Sequence, residues 1–289
     1  MIGPSPFAAV LASVPVHHDV RGDGTHTWRY GRADAPRRLL FLHGFRGDHH
    51  GLEPICAHLV GLRDDVQVLV PDLPGFGVSP PLPTGAHDID GYAAWAGALL
   101  DDDTVLAGHS FGSIVAAATA RGRELPGLVL VNPIATAALE GPRAFLSRLA
   151  AGYHRLAGTV PERAGTLMLR NPIMSRLAGS TMATTRDAAL LRWIHAEHAR
   201  YFGSFADRRV LLEAFRASVE HHVAEYAADI AAPTLLVAAE RDDLAPIPAQ
   251  RALLGRFPDA RLVELPATGH LAHYEAPAVV AVAVAEFLA

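Results

Sequence analysis

Five residues, Gly108-His109-Ser110-Phe111-Gly112, stand between an apolar run, Thr104 to Ala107, and a helix-like stretch that begins near Ser113. A serine between strand and helix in this spacing sits on a sharp turn. The glycines two positions to either side permit close backbone approach, and the helix N-terminus beyond favours developing negative charge. A serine hydroxyl is a poor nucleophile at neutral pH, so nucleophilic chemistry here demands a histidine base and a carboxylate that orients it. Downstream, the run Thr234 to Ala238 leads into Glu240-Arg241-Asp242-Asp243-Leu244-Ala245-Pro246, which places acidic residues at a strand's carboxyl end. After a further run, Arg261 to Leu265, the segment Pro266 to Glu275 carries His270 and His273 in a loop. The chain order is therefore serine, acid, histidine. The run Leu39 to Leu42 feeds His43-Gly44-Phe45-Arg46-Gly47, where the amide N–H of Phe45 can join that of Phe111 as a donor pair for an oxyanion. Losing one such donor typically costs about 2.7 to 4 kcal/mol of transition-state stabilisation.

The elements that must position these residues are legible as short apolar runs. Val14 to Val20 and Thr25 to Tyr30 flank Arg21-Gly22-Asp23-Gly24, turn chemistry between two antiparallel strands. Leu39 to Leu42, Val66 to Val70, Thr104 to Ala107, Leu128 to Val131, Thr234 to Ala238 and Arg261 to Leu265 follow, most of them apolar throughout. Such continuity marks strands of a parallel sheet covered by helices on both faces. Helix-like stretches lie between them: Leu52 to Gly61, Ile89 to Leu100, Ser113 to Arg121, Pro248 to Arg256 and Ala276 to Leu288. The alternation predicts an α/β doubly wound sheet, with chemistry at the carboxyl ends of its strands.

Between Asn132 and Ala228 the alternation stops, and amphipathic helical windows replace it, clearest over Ala188 to Tyr201 and Val210 to Tyr226. An inserted helical subdomain fits better than a structureless loop of that length. The expected organisation is a core in two parts, 1–132 and 229–289, split by a helical insertion at 133–228. Residues 133–228 carry twelve arginines against eight acidic residues, so the insert is basic within a chain of net charge −5. Its aromatic and methionine side chains, Phe145, Tyr153, Met168, Met174, Met182, Trp193, Tyr201 and Phe202, are expected to divide between packing and the lining of a pocket.

At 289 residues, half of them hydrophobic, the chain has material for a large buried core, which excludes disorder and a disulfide-stapled miniature. The single cysteine, Cys56, forbids an internal disulfide and reads as a small buried hydrophobe. All 25 basic residues are arginine, which removes Schiff-base and Walker-type lysine chemistry. The negative net charge argues against nucleic-acid binding. No apolar run reaches the ~20 residues of a membrane span. Phe7 to Val16 has neither a charged residue before it nor a convincing cleavage site, so a cytoplasmic protein is expected.

Along most of its length the sequence resembles the α/β-hydrolase family. The matching pieces are His43-Gly44, the loop Asp72-Leu73-Pro74-Gly75-Phe76-Gly77, the Ser110 elbow, the Asp242 turn and Gly269-His270. The resemblance implies an eight-stranded, mostly parallel sheet with helices on both faces and a helical cap inserted after the sixth strand. It also implies Ser110 as nucleophile, His270 as general base and acid, and Asp242 as its partner. Asp243 is the rival acid; Asp242 is preferred because the family's acid usually precedes the turn proline by four residues, as Pro246 allows. Relatives resembling haloalkane dehalogenases and epoxide hydrolases carry aspartate at the elbow, so serine here favours acyl transfer to water, from an ester or similar small-molecule substrate, with no cofactor. Relatives that cleave carbon–carbon bonds in ring-fission products are the chief alternative. They usually place asparagine before the serine and tryptophan shortly after the histidine, where this chain has His109 and Leu271. Menaquinone-pathway lyases, which share the His43-Gly44-Phe45 segment, and a non-catalytic ligand receptor on the same fold are further alternatives.

Three more residues are candidate substrate contacts. Arg46 follows the oxyanion segment and either binds a substrate carboxylate or forms a surface salt bridge. His109 precedes the nucleophile, and His273 either lines the pocket or packs. Sixteen histidines invite a metal, but Asp48-His49-His50 and His221-His222 are chain neighbours, and neighbours in a helix or strand do not converge on one ion, so no metal site is expected. The expected partner is a small-molecule substrate, and a homodimer is compatible with it.

Overall fold

The computed structural model of this protein describes residues 5–137, 144–171 and 182–289. Each of the apolar runs becomes a strand of one eight-stranded sheet: β1 (Val16–Val20), β2 (His26–Tyr30), β3 (Arg37–Leu42), β4 (Val66–Pro71), β5 (Thr104–His109), β6 (Leu128–Val131), β7 (Thr234–Ala239) and β8 (Ala260–Leu265). Their order is β1-β2-β4-β3-β5-β6-β7-β8. The hairpin β1–β2 and the β2–β4 pair are antiparallel, and the rest are parallel.

The parallel strands are apolar where both faces are covered, while β3 begins with the exposed Arg37 and Arg38 and the edge strand β8 carries Arg261 and Glu264. On one face, Leu39, Phe41, Val105, Ala107, Val129, Val131, Leu235 and Val237 meet α2 (Glu53–Leu62) and α11 (Pro277–Phe287) through Ile55, Leu59, Val280 and Val284. On the other, Leu40, Leu42, Leu106, Leu128, Leu130 and Leu236 meet α3 (Ile89–Gly97), α4 (Phe111–Ala120) and α9 (Ile247–Leu254). Successive residues of each strand thus serve opposite cores. Cys56 is buried between α2 and the sheet, and burial pushes its thiol well above the ordinary range. Two short helices flank these layers, α1 (Ala8–Ala12), which buries no residue, and α10 (Ala272–Glu275), which buries Ala272, His273 and Tyr274.

Between β6 and β7 lie α5 (Ala144–Thr159), α6 (Glu162–Leu169), α7 (Ala188–Tyr201) and α8 (Arg208–Glu220). Residues 138–143 and 172–181 of the expected insertion, Met174 among them, and the side chain of Phe145 lie outside the described residues. The helix expected to reach Tyr226 stops at Glu220. His221 turns extended, and the His222 N–H donates to Glu225 Oε1 at 2.7 Å, which starts a 3₁₀ turn over Val223–Glu225. No described helix is long and apolar enough to cross a membrane.

The loop after β4 is pinned by a buried carboxylate. Asp72 accepts from the His49 amide at 2.8 Å, from His49 Nδ1 at 2.9 Å and from the Val78 amide at 3.0 Å. Burial alone raises its pKa, but the hydrogen bond and charge of His49, with His43 and Val78, outweigh that and hold the carboxyl below the usual range. Gly77, at φ 55°, passes so close that a β-carbon would lie 2.0 Å from Asp72 Oδ2. Asp72→Ala strands the two buried donors of His49 as well as the Val78 amide, so its unfolding free energy in urea is expected to fall by about 3 kcal/mol; a midpoint equal to wild type would refute the assignment.

Candidate active site

Ser110 occupies the turn from β5 into α4 at φ 53°, ψ −118°. A non-glycine residue there is strained, and the surroundings over-determine it. A β-carbon on Gly108 would lie 2.1 Å from the Gly112 carbonyl oxygen, and one on Gly112 would lie 2.3 Å from that of Leu42. Only glycine at both positions lets α4 start this close to β3 and β5. The Ser110 amide donates to Val131 O at 3.1 Å, which ties the turn to the neighbouring strand β6.

Three loops then bring the predicted residues together at the carboxyl end of the sheet. Ser110 Oγ is 2.8 Å from His270 Nε2, and His270 Nδ1 is 2.7 Å from Asp242 Oδ2. A carboxylate can only accept, so Nδ1 carries the proton and Nε2 accepts from the serine hydroxyl. Asp242 Oδ1 also accepts from the Leu244 and Ala245 amides at 2.9 and 3.1 Å, and Oδ2 accepts from Asn132 Nδ2 at 2.9 Å. Burial pushes the Asp242 carboxyl up, yet the adjacent His270 and these donors hold it below the usual carboxylate range. Asp242 is the acid on His270 Nδ1, while Asp243 is exposed.

The amides of Phe45 and Phe111 have no protein acceptor among the described residues, and both residues line the cavity beside Ser110. The loop that carries Phe45 is shaped by His43, whose Nδ1 donates to Gly44 O at 2.9 Å while Nε2 accepts from the Leu73 amide at 2.9 Å. The cavity has a volume of about 850 Å³. Its walls are mainly apolar, with Phe45, Phe111, Tyr153, Phe202, Phe215 and Leu271 among them, and the inserted helices supply one side.

The three candidate substrate contacts divide. His109 and His273 line the same cavity but are buried and engaged with each other, His273 Nδ1 lying 3.1 Å from His109 Nε2. His109 Nε2 is also 3.3 Å from the His270 carbonyl oxygen, so this pair braces the histidine loop from behind. Burial, reinforced by His270, drives His109 down to about 3, and burial with the neighbouring His109 drives His273 well below its ordinary value. Arg46 is neither exposed nor in a salt bridge with a described residue: it is 9% exposed, at φ 60°, and its guanidinium reaches backbone carbonyls of the insertion. The surface salt-bridge expectation fails because the left-handed turn at Arg46 aims the side chain inward.

Chain neighbours do converge here, against expectation. Asp48, His49 and His50 lie in and before a tight 3₁₀ turn, not a regular helix or strand, and their ligand atoms fall within 4.8 Å of one another. One nitrogen of each ring is already hydrogen-bonded, His49 Nδ1 to Asp72 and His50 Nδ1 to Asp48 Oδ1 at 3.1 Å.

Two supports escaped the sequence reading. Asn132, at φ 45°, ends β6 and holds Asp242; its signal was rarity, as one of two asparagines in the chain. Glu275 accepts from the Gly269 amide at 2.9 Å, the Thr185 amide at 2.9 Å and Thr184 Oγ1 at 2.7 Å, which joins the histidine loop to the insertion. A β-carbon on Gly269 would lie 2.5 Å from Thr184 Cγ2, so the two segments are in direct contact.

A family model described as the alpha/beta hydrolase family matches residues 39–283. A curated relative, Lipase LipV of Mycobacterium tuberculosis (strain ATCC 25618 / H37Rv), is 35% identical over 124 residues. The match covers 41% of this chain and 44% of the lipase, so it spans less than half of that relative's length. Among solved structures, a thermophilic esterase from Thermogutta terrifontis superposes with a TM-score of 0.68 at 22% identity, over 96% of this chain and 98% of that one. An esterase from Exiguobacterium antarcticum gives 0.70 at 16% identity, over 94% and 98%. At those identities the likeness is one of fold.

The buried histidines give the protein a defined acid response. Burial lowers His43, His109, His154, His198 and His273, with His154 and His198 brought to about 4. Unfolded, each titrates near its ordinary value of about 6.5. Below that pH the unfolded chain binds protons that these folded-state histidines refuse, so the stability they contribute is complete above about pH 6.5 and lost as pH falls, by up to about 1.4 kcal/mol per pH unit for each. His50 works in the opposite sense, because burial, which lowers it, is outweighed by its contact with Asp48, which raises it. The urea midpoint should therefore drop steeply from pH 7 to pH 5, and His109→Gln should flatten that slope by about one proton's worth. A midpoint that stays level over that interval would contradict the burial of neutral imidazoles.

Proposed function

Because the chain belongs to the alpha/beta hydrolase family, we propose that it is a serine hydrolase that cleaves a small-molecule carboxylic ester, or a related acyl substrate, through an acyl-enzyme. The observation that carries this reading is the continuous hydrogen-bonded line from Ser110 Oγ through His270 to Asp242, set at the floor of the cavity.

In this mechanism His270 Nε2 takes the hydroxyl proton as Ser110 Oγ attacks the substrate carbonyl carbon. The imidazolium that forms is stabilised by Asp242, whose four accepted hydrogen bonds keep it ionised. The carbonyl oxygen takes up negative charge between the Phe45 and Phe111 amides, which have no acceptor among the described residues. Collapse of the intermediate expels the alcohol, which leaves with the proton returned by His270. Water then attacks the acyl-enzyme with the same base assisting, and the free acid departs. The helical insertion acts as a cap whose inner wall sets which acyl group fits.

A fluorophosphonate probe should label the wild-type protein and not Ser110→Ala. Labelling that survives the substitution would sink the assignment, and no labelling of folded protein would favour a non-catalytic receptor. His270→Ala and Asp242→Asn should lower p-nitrophenyl ester turnover by about three orders of magnitude or more, with Asp243→Asn far milder. Preference by orders of magnitude for a ring-fission dienol over the esters would replace ester cleavage with carbon–carbon cleavage.

A further inference from the structure

The cavity wall holds one buried cation that no step of acyl transfer uses, beside the exposed Arg148 and Asp243 and an Asp48 paired with His50. Arg46 is the only arginine counted as buried among the described residues. Its Nε donates to Phe202 O at 3.0 Å and its Nη2 to Leu169 O at 2.6 Å, and its guanidinium carbon lies 5.7 Å from the centre of the Phe205 ring. Leu169 is the last residue of α6, and Phe202 directly follows α7. Carbonyls at helix carboxyl ends lack intrahelical donors and carry partial negative charge, so they hold the guanidinium without neutralising it. No carboxylate of the described residues pairs with Arg46, and Nη1 has no protein acceptor among them. Burial pushes the guanidinium down to about 10, the sign of a cation short of compensation.

Other buried charges in the structure are answered differently. Asp72 has His49, Asp48 has His50, and Asp242 has His270 with Asn132. A buried ion without a counter-ion is strongly unfavourable, and it is tolerated where a bound anion completes it. Arg46 faces a mainly apolar cavity, immediately after the residue whose amide is placed at the oxyanion.

We propose that Arg46 is the specificity residue for a substrate carboxylate: the ester cleaved at Ser110 carries a second, free carboxylate on its acyl group, as a monoester of a dicarboxylic acid does. The inference rests on the hydrolase reading of the cavity. Nη1 and the second N–H of Nη2 form the planar fork that grips a carboxylate through two parallel hydrogen bonds. One guanidinium matches one negative charge, which favours a carboxylate over a phosphate dianion. The excess of arginine in the insertion, twelve against eight acidic residues over 133–228, adds attraction at longer range.

The test compares mono-p-nitrophenyl glutarate with p-nitrophenyl valerate, esters of equal acyl length that differ in the terminal carboxylate. The wild-type kcat/KM should favour the glutarate ester, and in Arg46→Gln the ratio of the two constants should fall at least about thirtyfold. If Arg46→Gln does not fold, Arg46→Lys keeps the charge but loses the fork, and the ratio should fall several-fold. A purely structural arginine lowers both constants together and leaves the ratio unchanged, which would overturn the proposal. Calorimetric titration of glutarate into Ser110→Ala, and into the same protein carrying Arg46→Gln, separates this from the hydrolase reading. Affinity should drop by at least about tenfold, and equal affinity overturns the site whatever the esters do. Absence of turnover of both esters together with absence of fluorophosphonate labelling would instead count against Ser110 chemistry.

Discussion

Between the carbonyl oxygens of Leu42 and His43 and the first turn of α4 there is no room for a β-carbon. That exclusion fixes Gly112 against β3, and the mirror contact fixes Gly108 against the same turn. The backbone between them must then pass through a left-handed conformation at Ser110, which lifts the hydroxyl out of the packed core and presents it to the cavity. The rest of the candidate site is arranged around the position so defined: the end of β6 supplies Asn132, β7 the turn with Asp242, and the loop after β8 His270. Parallel strands make this convergence natural, since every one of them delivers its carboxyl end to the same edge.

Much of this arrangement could be read from residue order. The apolar runs that fill both cores cannot be partly solvated, so they read as buried parallel strands, and the glycines around Ser110 have few other uses in a strand-to-helix turn. Asp242 is different in kind: residue type alone left it level with Asp243, and only the family's turn spacing preferred it. What remained hidden depends on side-chain direction. For Arg46 the residue order leaves a substrate contact and a surface salt bridge open, and nothing local announces that its guanidinium runs under the insertion to two backbone carbonyls. Asn132 and Glu275 act across 110 and 91 residues of sequence, distances over which no spacing rule operates. The His49 and His50 turn shows the opposite error, in which a rule true of helices and strands was applied to a segment that is neither.

The histidines illustrate how burial sorts one residue type into several roles. His270 meets a carboxylate on one nitrogen and a hydroxyl on the other, a setting that suits proton transfer. His43 spends both nitrogens on backbone and shapes a loop. His109 and His273, held neutral in the interior, stand behind the His270 carbonyl and limit how far its loop can move. A stack of rings from Trp28 through His49 and His50 to Tyr201 carries the core out to the insertion, with Trp28 and His49 centres 3.3 Å apart.

The Glu275 junction has a consequence for how this architecture can diversify. Because one carboxylate binds both the Gly269 amide and the start of the Thr184–Thr185 segment, the insertion and the histidine loop share a joint. A chimaera that grafted a foreign helical insert at the ends of β6 and β7 would bring its own pocket wall but sever this joint, and would leave the loop that carries His270 without its anchor. A graft that retained residues 182–185 with Gly269 and Glu275 would leave the rest of the insert open to exchange. New substrate ranges on this scaffold are therefore reached most easily by variation on the far side of the insert.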